Sequence, residues 1–149
     1  MDYRKQAHAV YYTRYHIVVS TKYRRKILKA GVGDYLKKLV HQVNRIHPDI
    51  EVLEVNTDVD HIHLLMSIPP KYSVSEVVNM VKANTGRKVR EKFPHLDKVY
   101  WGVTGIWSTG YFVSTVGIHE STVRNYVQMQ GKEDSGQAER AGPRNLNRF

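Results

Sequence analysis

His61-Ile62-His63-Leu64-Leu65-Met66-Ser67-Ile68 is the stretch on which the fold of this chain turns. Read as a strand, it sends alternate side chains to opposite faces: Ile62, Leu64, Met66 and Ile68 make a wholly apolar side, and His61, His63, Leu65 and Ser67 the other. One register satisfies a core. Burying the apolar four forces both imidazoles onto the opposite face, with the i, i+2 spacing leaving them about 6–7 Å apart at Cα, a gap that one metal ion can bridge. Asp58 and Asp60, just before the pair, are candidate acceptors that fix a histidine tautomer. Two histidines on a half-exposed strand are equally well ordinary surface residues, so the reading depends on what surrounds them.

Working outward, residues 51–56 (EVLEVN) form a second β-rich run, and the polar turn 57–60 makes the two a hairpin that Pro69 and Pro70 end. Leu36, Leu39, Val40, Val43 and Ile46 form a helical apolar stripe that Pro48 stops. Residues 10–20 (VYYTRYHIVVS) read as one strand, followed by a basic loop over 21–29. After the hairpin, Ser73 with Glu76 is a capping box, and Val74, Val77, Val78 and Val81 carry a helix toward Lys92. Residues 107–116 (WSTGYFVSTV) read as a strand, and 119–130 as a third helix on the spacing of Val123 and Val127. The order β-α-β-β-α-β-α predicts an α+β, ferredoxin-like or RRM-like antiparallel sheet with helices on one face, plus a C-terminal helix. We expect a single domain over 1–130 and a flexible tail over 131–149, which lacks apolar periodicity.

The chain has 149 residues, a net charge of +9 and no cysteine. The charge favours a polyanionic partner. The missing cysteine removes disulfides, thiolate nucleophiles and Cys-rich zinc sites, and fits a reducing cytoplasm. No run is long and apolar enough for a membrane span, and the first ten residues lack a signal-peptide apolar region. Residues 1–30 hold eight Lys or Arg against one Asp. Within them Lys22, Tyr23, Arg24, Arg25 and Lys26 suit phosphate contacts with stacking on an unpaired base. Lys82, Arg87 and Lys88 are further phosphate candidates, and a solvated charge run explains either group too. Trp101, Trp107, Tyr111 and Phe112 read as core aromatics before they read as stacking platforms.

In residues 121–130 (STVRNYVQMQ), Tyr126 and Gln130 are four apart and share a helix face. A phenol can act as a nucleophile, and the Gln130 amide oxygen can coordinate a hard cation beside His61 and His63. A tyrosine that attacks a phosphodiester keeps the bond energy in a phosphotyrosine ester, from which a DNA hydroxyl can reseal the strand without ATP.

These blocks together resemble the HUH-type, single-tyrosine transposases of small bacterial and archaeal insertion sequences. The resemblance covers most of residues 12–130. It rests on Tyr15-His16-Ile17-Val18 with Thr21-Lys22-Tyr23-Arg24-Arg25-Lys26, on Asp60-His61-Ile62-His63-Leu64-Leu65, on the run from Trp107 to Gly117, and on the Tyr126 helix ending in Gln130. It implies metal-dependent cutting and rejoining of single-stranded DNA, with Tyr126 as nucleophile and His61, His63 and Gln130 as ligands of Mg²⁺ or Mn²⁺. It also implies a 5′-phosphotyrosine intermediate, recognition of DNA hairpins, and a homodimer in the cytoplasm of a bacterial or archaeal cell. The rival readings are a non-catalytic RRM-like RNA-binding module, a domesticated hairpin-binding relative, and a metal phosphodiesterase that dispenses with Tyr126. A stacking module has no use for His61, His63 and Gln130 around a tyrosine.

Overall fold

The structure, a computed structural model, describes residues 3–6 and 9–117. The expected third helix with Tyr126 and Gln130, and the expected tail over 131–149, lie outside the described residues. The chain divides into two units, residues 1–13 with 116–149 and residues 14–115. In the first, β1 (Arg4–Gln6) and β2 (Ala9–Tyr11) pair antiparallel, with Arg4 opposite Tyr11 and its guanidinium 5.5 Å from the ring centroid.

The second unit begins with β3 (Arg14–Ser20). It continues through α1 (Gly31–His41), α2 (Val43–Ile46), β4 (Glu51–Thr57), β5 (His61–Ser67), α3 (Val74–Lys92), α4 (Leu96–Val99) and β6 (Phe112–Val116). The sheet is four-stranded and antiparallel, ordered β4-β5-β3-β6. The first and third of its strands therefore sit in the middle, as the ferredoxin-like pattern requires.

Ile17 and Val19 of β3, Val55 of β4, and Ile62, Leu64 and Met66 of β5 all join one core. Val32, Leu36, Leu39 and Val40 of α1 and Val77, Val78, Val81 and Val89 of α3 pack into the same core. The helices thus lie against one sheet face, and the odd-numbered side chains of β5 from His61 to Leu65 are left half-exposed on the other. Among the described residues, no helix is long and apolar enough to cross a membrane.

Three elements differ from expectation, each for a local reason. The predicted strand over 10–20 is two strands, broken at Tyr12 and Thr13 and divided between the two units. The stripe ending at Ile46 does not stay on one face: α1 stops at His41, α2 restarts after Gln42, and Ile46 is 67% exposed. Asn44 of α2 braces the turn that leads into β4 by donating to the carbonyl of Ile50 at 2.7 Å. The strand expected from Trp107 begins only at Phe112, because Gly110 takes φ +86°, a left-handed conformation that ends the extended run. Trp107 instead bridges Thr21 and is buried, its indole N–H donating to Thr85 Oγ1 at 2.9 Å. Ser73 caps α3 as predicted, accepting from the Glu76 amide at 3.0 Å.

Because Leu64 faces the core and Leu65 does not, Leu64→Ala should destabilise the protein by about 2–5 kcal/mol, and Leu65→Ala by clearly less. Urea denaturation of the two variants checks this. Equal losses would mean that the strand register is wrong.

Candidate metal centre

The register of β5 assembles the site. Antiparallel pairing sets Asn56 of β4 and Val18 of β3 opposite His63, Ser20 opposite His61, and His16 opposite Leu65. His61, His63 and His16 therefore form a diagonal row on the helix-free face. The turn after β4 is closed by the Asp58 amide donating to the His61 carbonyl at 2.8 Å, which brings both aspartates back over the pair.

Asp60 Oδ1 lies 2.8 Å from His61 Nδ1, and Asp58 Oδ2 lies 3.0 Å from His61 Nε2. Where Nδ1–H donates to Asp60, Nε2 keeps its lone pair, and a cation between it and Asp58 Oδ2 would satisfy both; Asp60 would then be the outer carboxylate that fixes the tautomer. The sequence grouped the two aspartates as outer acceptors, whereas the structure separates them. Asp58 falls within a group that could hold a metal ion: one candidate ligand atom each from Asp58, His61 and His63 lies within 4.8 Å of the others. Ligands facing each other across an ion bound at its usual 2.0–2.2 Å stand about 4.4 Å apart at most, so small side-chain adjustments would close the group on one cation. These residues fit a divalent metal with mixed nitrogen and oxygen ligands.

The electrostatics fit too. The His61 hydrogen bond is the main cause holding the Asp60 carboxyl below its usual pKa, and Arg24, whose Nε stands 3.2 Å from Asp60 Oδ2, acts in the same direction. Burial lowers the His63 pKa, with further lowering from the charges of His61 and His16. A neutral imidazole is the form that ligates a metal.

The remaining sequence-predicted residues divide by what holds them. Tyr23, Arg24, Arg25 and Lys26 are exposed, and Tyr23 and Arg24 take left-handed φ of 59° and 53° in a 3₁₀ turn over Lys22–Arg24. The segment is a built surface: the Thr21 amide donates to the Asp60 carbonyl at 2.9 Å, and the Leu28 amide to the Val59 carbonyl at 2.9 Å. Lys22 donates to the Thr104 carbonyl at 3.1 Å. Lys82 donates to the carbonyls of Ser108 and Gly110 at 2.8 and 3.2 Å, so it braces the loop before β6. Arg87 is exposed and Lys88 half-exposed on α3. Trp101, by contrast with Trp107, is 85% exposed.

A third histidine, with no signal in the sequence of its own strand, belongs to this face. His16 Nε2 lies 3.1 Å from His63 Nδ1. The alternation of β3 places His16, Val18 and Ser20 on one face, but only the inter-strand register shows which neighbour they meet.

Comparison with known proteins agrees with this architecture. The family model described as "Transposase IS200 like" matches residues 9–130. The transposase for insertion sequence element IS200 of Salmonella typhimurium is 34% identical over 137 residues, spanning 89% of this chain and 86% of that protein. The ISDra2 transposase TnpA of Deinococcus radiodurans is 27% identical over 131 residues, spanning 87% and 92%. A crystal structure from Deinococcus radiodurans R1, assigned to a transposase, superposes with a TM-score of 0.68 at 28% identity, covering 85% of this chain and 98% of that one. The fold is that of a transposase. The chain belongs to the IS200-like transposase family.

The His63 shift has a consequence for stability. Its pKa is lowered in the folded protein, so on acidification the unfolded chain takes up the proton first, near pH 6.5. The contribution is fully present above that pH and is lost as the pH falls through it toward the folded value. With chelator present, the chain should be less stable to urea at pH 5.5 than at pH 7.5, and His63→Gln should narrow the difference. An unchanged difference in that variant would assign the effect to other groups.

Proposed function

We propose that this transposase cuts and rejoins single-stranded DNA at insertion-sequence ends by covalent catalysis through Tyr126, with His61 and His63 as metal ligands. The observation that carries this reading is the Asp58, His61 and His63 donor group on the helix-free sheet face, next to the basic segment 22–26. The family resemblance supports Tyr126 as nucleophile and Gln130 as a further ligand, on the Tyr-x-x-x-Gln spacing of residues 126–130. Asp58 is a fourth donor that the resemblance did not suggest. Mg²⁺ and Mn²⁺ are the candidate ions, and two imidazoles favour Mn²⁺ because Mg²⁺ prefers all-oxygen surroundings.

When bound, the ion supplies polarisation of the scissile phosphate and stabilisation of the charge that develops on it. The chain's own residues do the rest. The Tyr126 phenol loses its proton and its oxygen bonds to phosphorus, while the bond from phosphorus to the 3′ oxygen breaks. The departing oxygen takes up a proton as a 3′-hydroxyl, and the 5′ side stays on the protein as a phosphotyrosine ester. A 3′-hydroxyl that later attacks this ester reverses the step and restores the tyrosine. Arg25 and Lys26, exposed beside Arg24, are the proposed phosphate contacts. DNA hairpins are the proposed recognition element and a homodimer the proposed working form, both on the strength of the resemblance.

Incubation with end-labelled hairpin DNA from the flanks of the gene and Mn²⁺ should give a denaturation-resistant protein–DNA adduct. Tyr126→Phe should abolish it. An adduct that survives in that variant would eliminate Tyr126 as the nucleophile, and release of free product without any adduct would favour a phosphodiesterase. His61→Ala and His63→Ala should abolish cleavage while hairpin binding persists. A comparable loss of binding would mean that these histidines serve the DNA or the fold. If Arg25 contacts a phosphate, Arg25→Ala should flatten the slope of log K against log salt by about 1; an unchanged slope would remove it from the interface.

A further inference from the structure

Two histidines are needed to hold the ion, and each has only one nitrogen to give. The partner of the other nitrogen decides whether the ligating lone pair exists at all. For His61 that partner is Asp60, at 2.8 Å from Nδ1. For His63 the partner is a third histidine on the adjacent strand: His16 Nε2 stands 3.1 Å from His63 Nδ1. The two ring planes are inclined by only 19°, with centroids 5.3 Å apart. That separation is far larger than the distance between the nitrogens, so the rings meet nearly edge to edge, as in a hydrogen bond from one ring to the other, and not face on face.

The polarity of this bond has chemical consequences. If His16 donated, His63 Nδ1 would spend its lone pair on the bond while Nε2 carried the proton, and the neutral ring would have nothing left for a metal. If His63 donates from Nδ1, its Nε2 lone pair is free. His16 stands outside the Asp58, His61 and His63 donor group, next along the diagonal row after His63.

We propose that His16 is the positioning residue for His63: its unprotonated Nε2 accepts the His63 Nδ1–H, fixing the ring and the tautomer that presents Nε2 to the metal. The proposal rests on the metal site of the preceding section. Each ligand histidine then has its own outer partner, Asp60 for His61 and His16 for His63. An imidazole in this role orients its neighbour without adding a negative charge to a face that must admit DNA phosphates. The arrangement follows from the register of β3 on β5, since a slip of one residue would remove His16 from the face altogether.

The test is Mn²⁺ affinity of the full-length protein without DNA, read by electron paramagnetic resonance of the free ion, for wild type, His16→Phe and His16→Gln. Phe keeps a ring but has no acceptor, whereas the Gln amide oxygen can accept the same hydrogen bond. Loss of an outer partner costs about 10–100-fold in metal affinity, so His16→Phe should bind Mn²⁺ that much more weakly and His16→Gln should stay close to wild type. Nitrogen-15 shifts of the imidazoles should show His63 as the Nδ1–H tautomer in wild type and His16→Gln, and a mixture in His16→Phe. Wild-type affinity in His16→Phe would overturn the proposal while leaving the metal site intact. Equal weakening in both variants would also overturn it, as the mark of a packing role. Failure of the wild type to bind Mn²⁺ would instead remove the metal site, and His16's role with it.

Discussion

The alternation of side chains along β5 is the constraint from which the rest of the structure follows. Ile62, Leu64 and Met66 are at most 2% exposed and lie under both long helices. A slip of one residue would bring three apolar side chains to the surface and drive two imidazoles into the core, a change worth several kcal/mol per residue. The free energy that folds the domain is therefore the same free energy that sets His61 and His63 side by side on the open face. β5 is central, so its two neighbours are registered against it, and through them Asn56, Val18 and His16 take fixed places around His63.

The turn between β4 and β5 connects this face to the basic segment. Asp60 is its pivot: one carboxylate oxygen holds His61, the other meets Arg24, and its carbonyl accepts from the Thr21 amide. Arg24 is 66% exposed at its side chain, so its pairing with Asp60 is worth little as stability. Its importance is geometric, since it ties the orientation of Asp60, the partner of the proposed ligand His61, to the cation-rich surface proposed to receive DNA. The left-handed backbone at Tyr23 and Arg24 has the same character. Strain of this kind persists only where surrounding bonds determine it, and those to Asp60, Val59 and Ile106 do so here.

The periods of the sequence were enough for the sheet order's underlying pattern, the core faces of β5 and α3, the α3 cap and the shared face of the two histidines. All of these depend on neighbours within one element. What escaped depended on contacts between elements or on a single backbone angle. The stripe through Ile46 ignored the break at Gln42, Gly110 cut a run of good strand composition, and Tyr12 and Thr13 divided what looked like one strand. At the site, Asp60 was legible in its outer role because it is adjacent to His61. Asp58 became a ligand candidate only when the turn folded it back, and His16 became a neighbour only through pairing with β5. Lys82 looked like a surface cation and proved to hold two loop carbonyls. Tyr126 and Gln130 rest on their helical spacing and on the family to which the chain belongs.

One sheet face, fixed by the burial of the other, is proposed to hold a single divalent cation. Anomalous scattering from crystals of the full-length protein grown with Mn²⁺ tests it most directly. One strong peak is expected within bonding distance of His61, His63 and Asp58, with His16 and Asp60 outside the coordination sphere. A peak elsewhere, or Mn²⁺ ligated by His16 in place of His63, would contradict it.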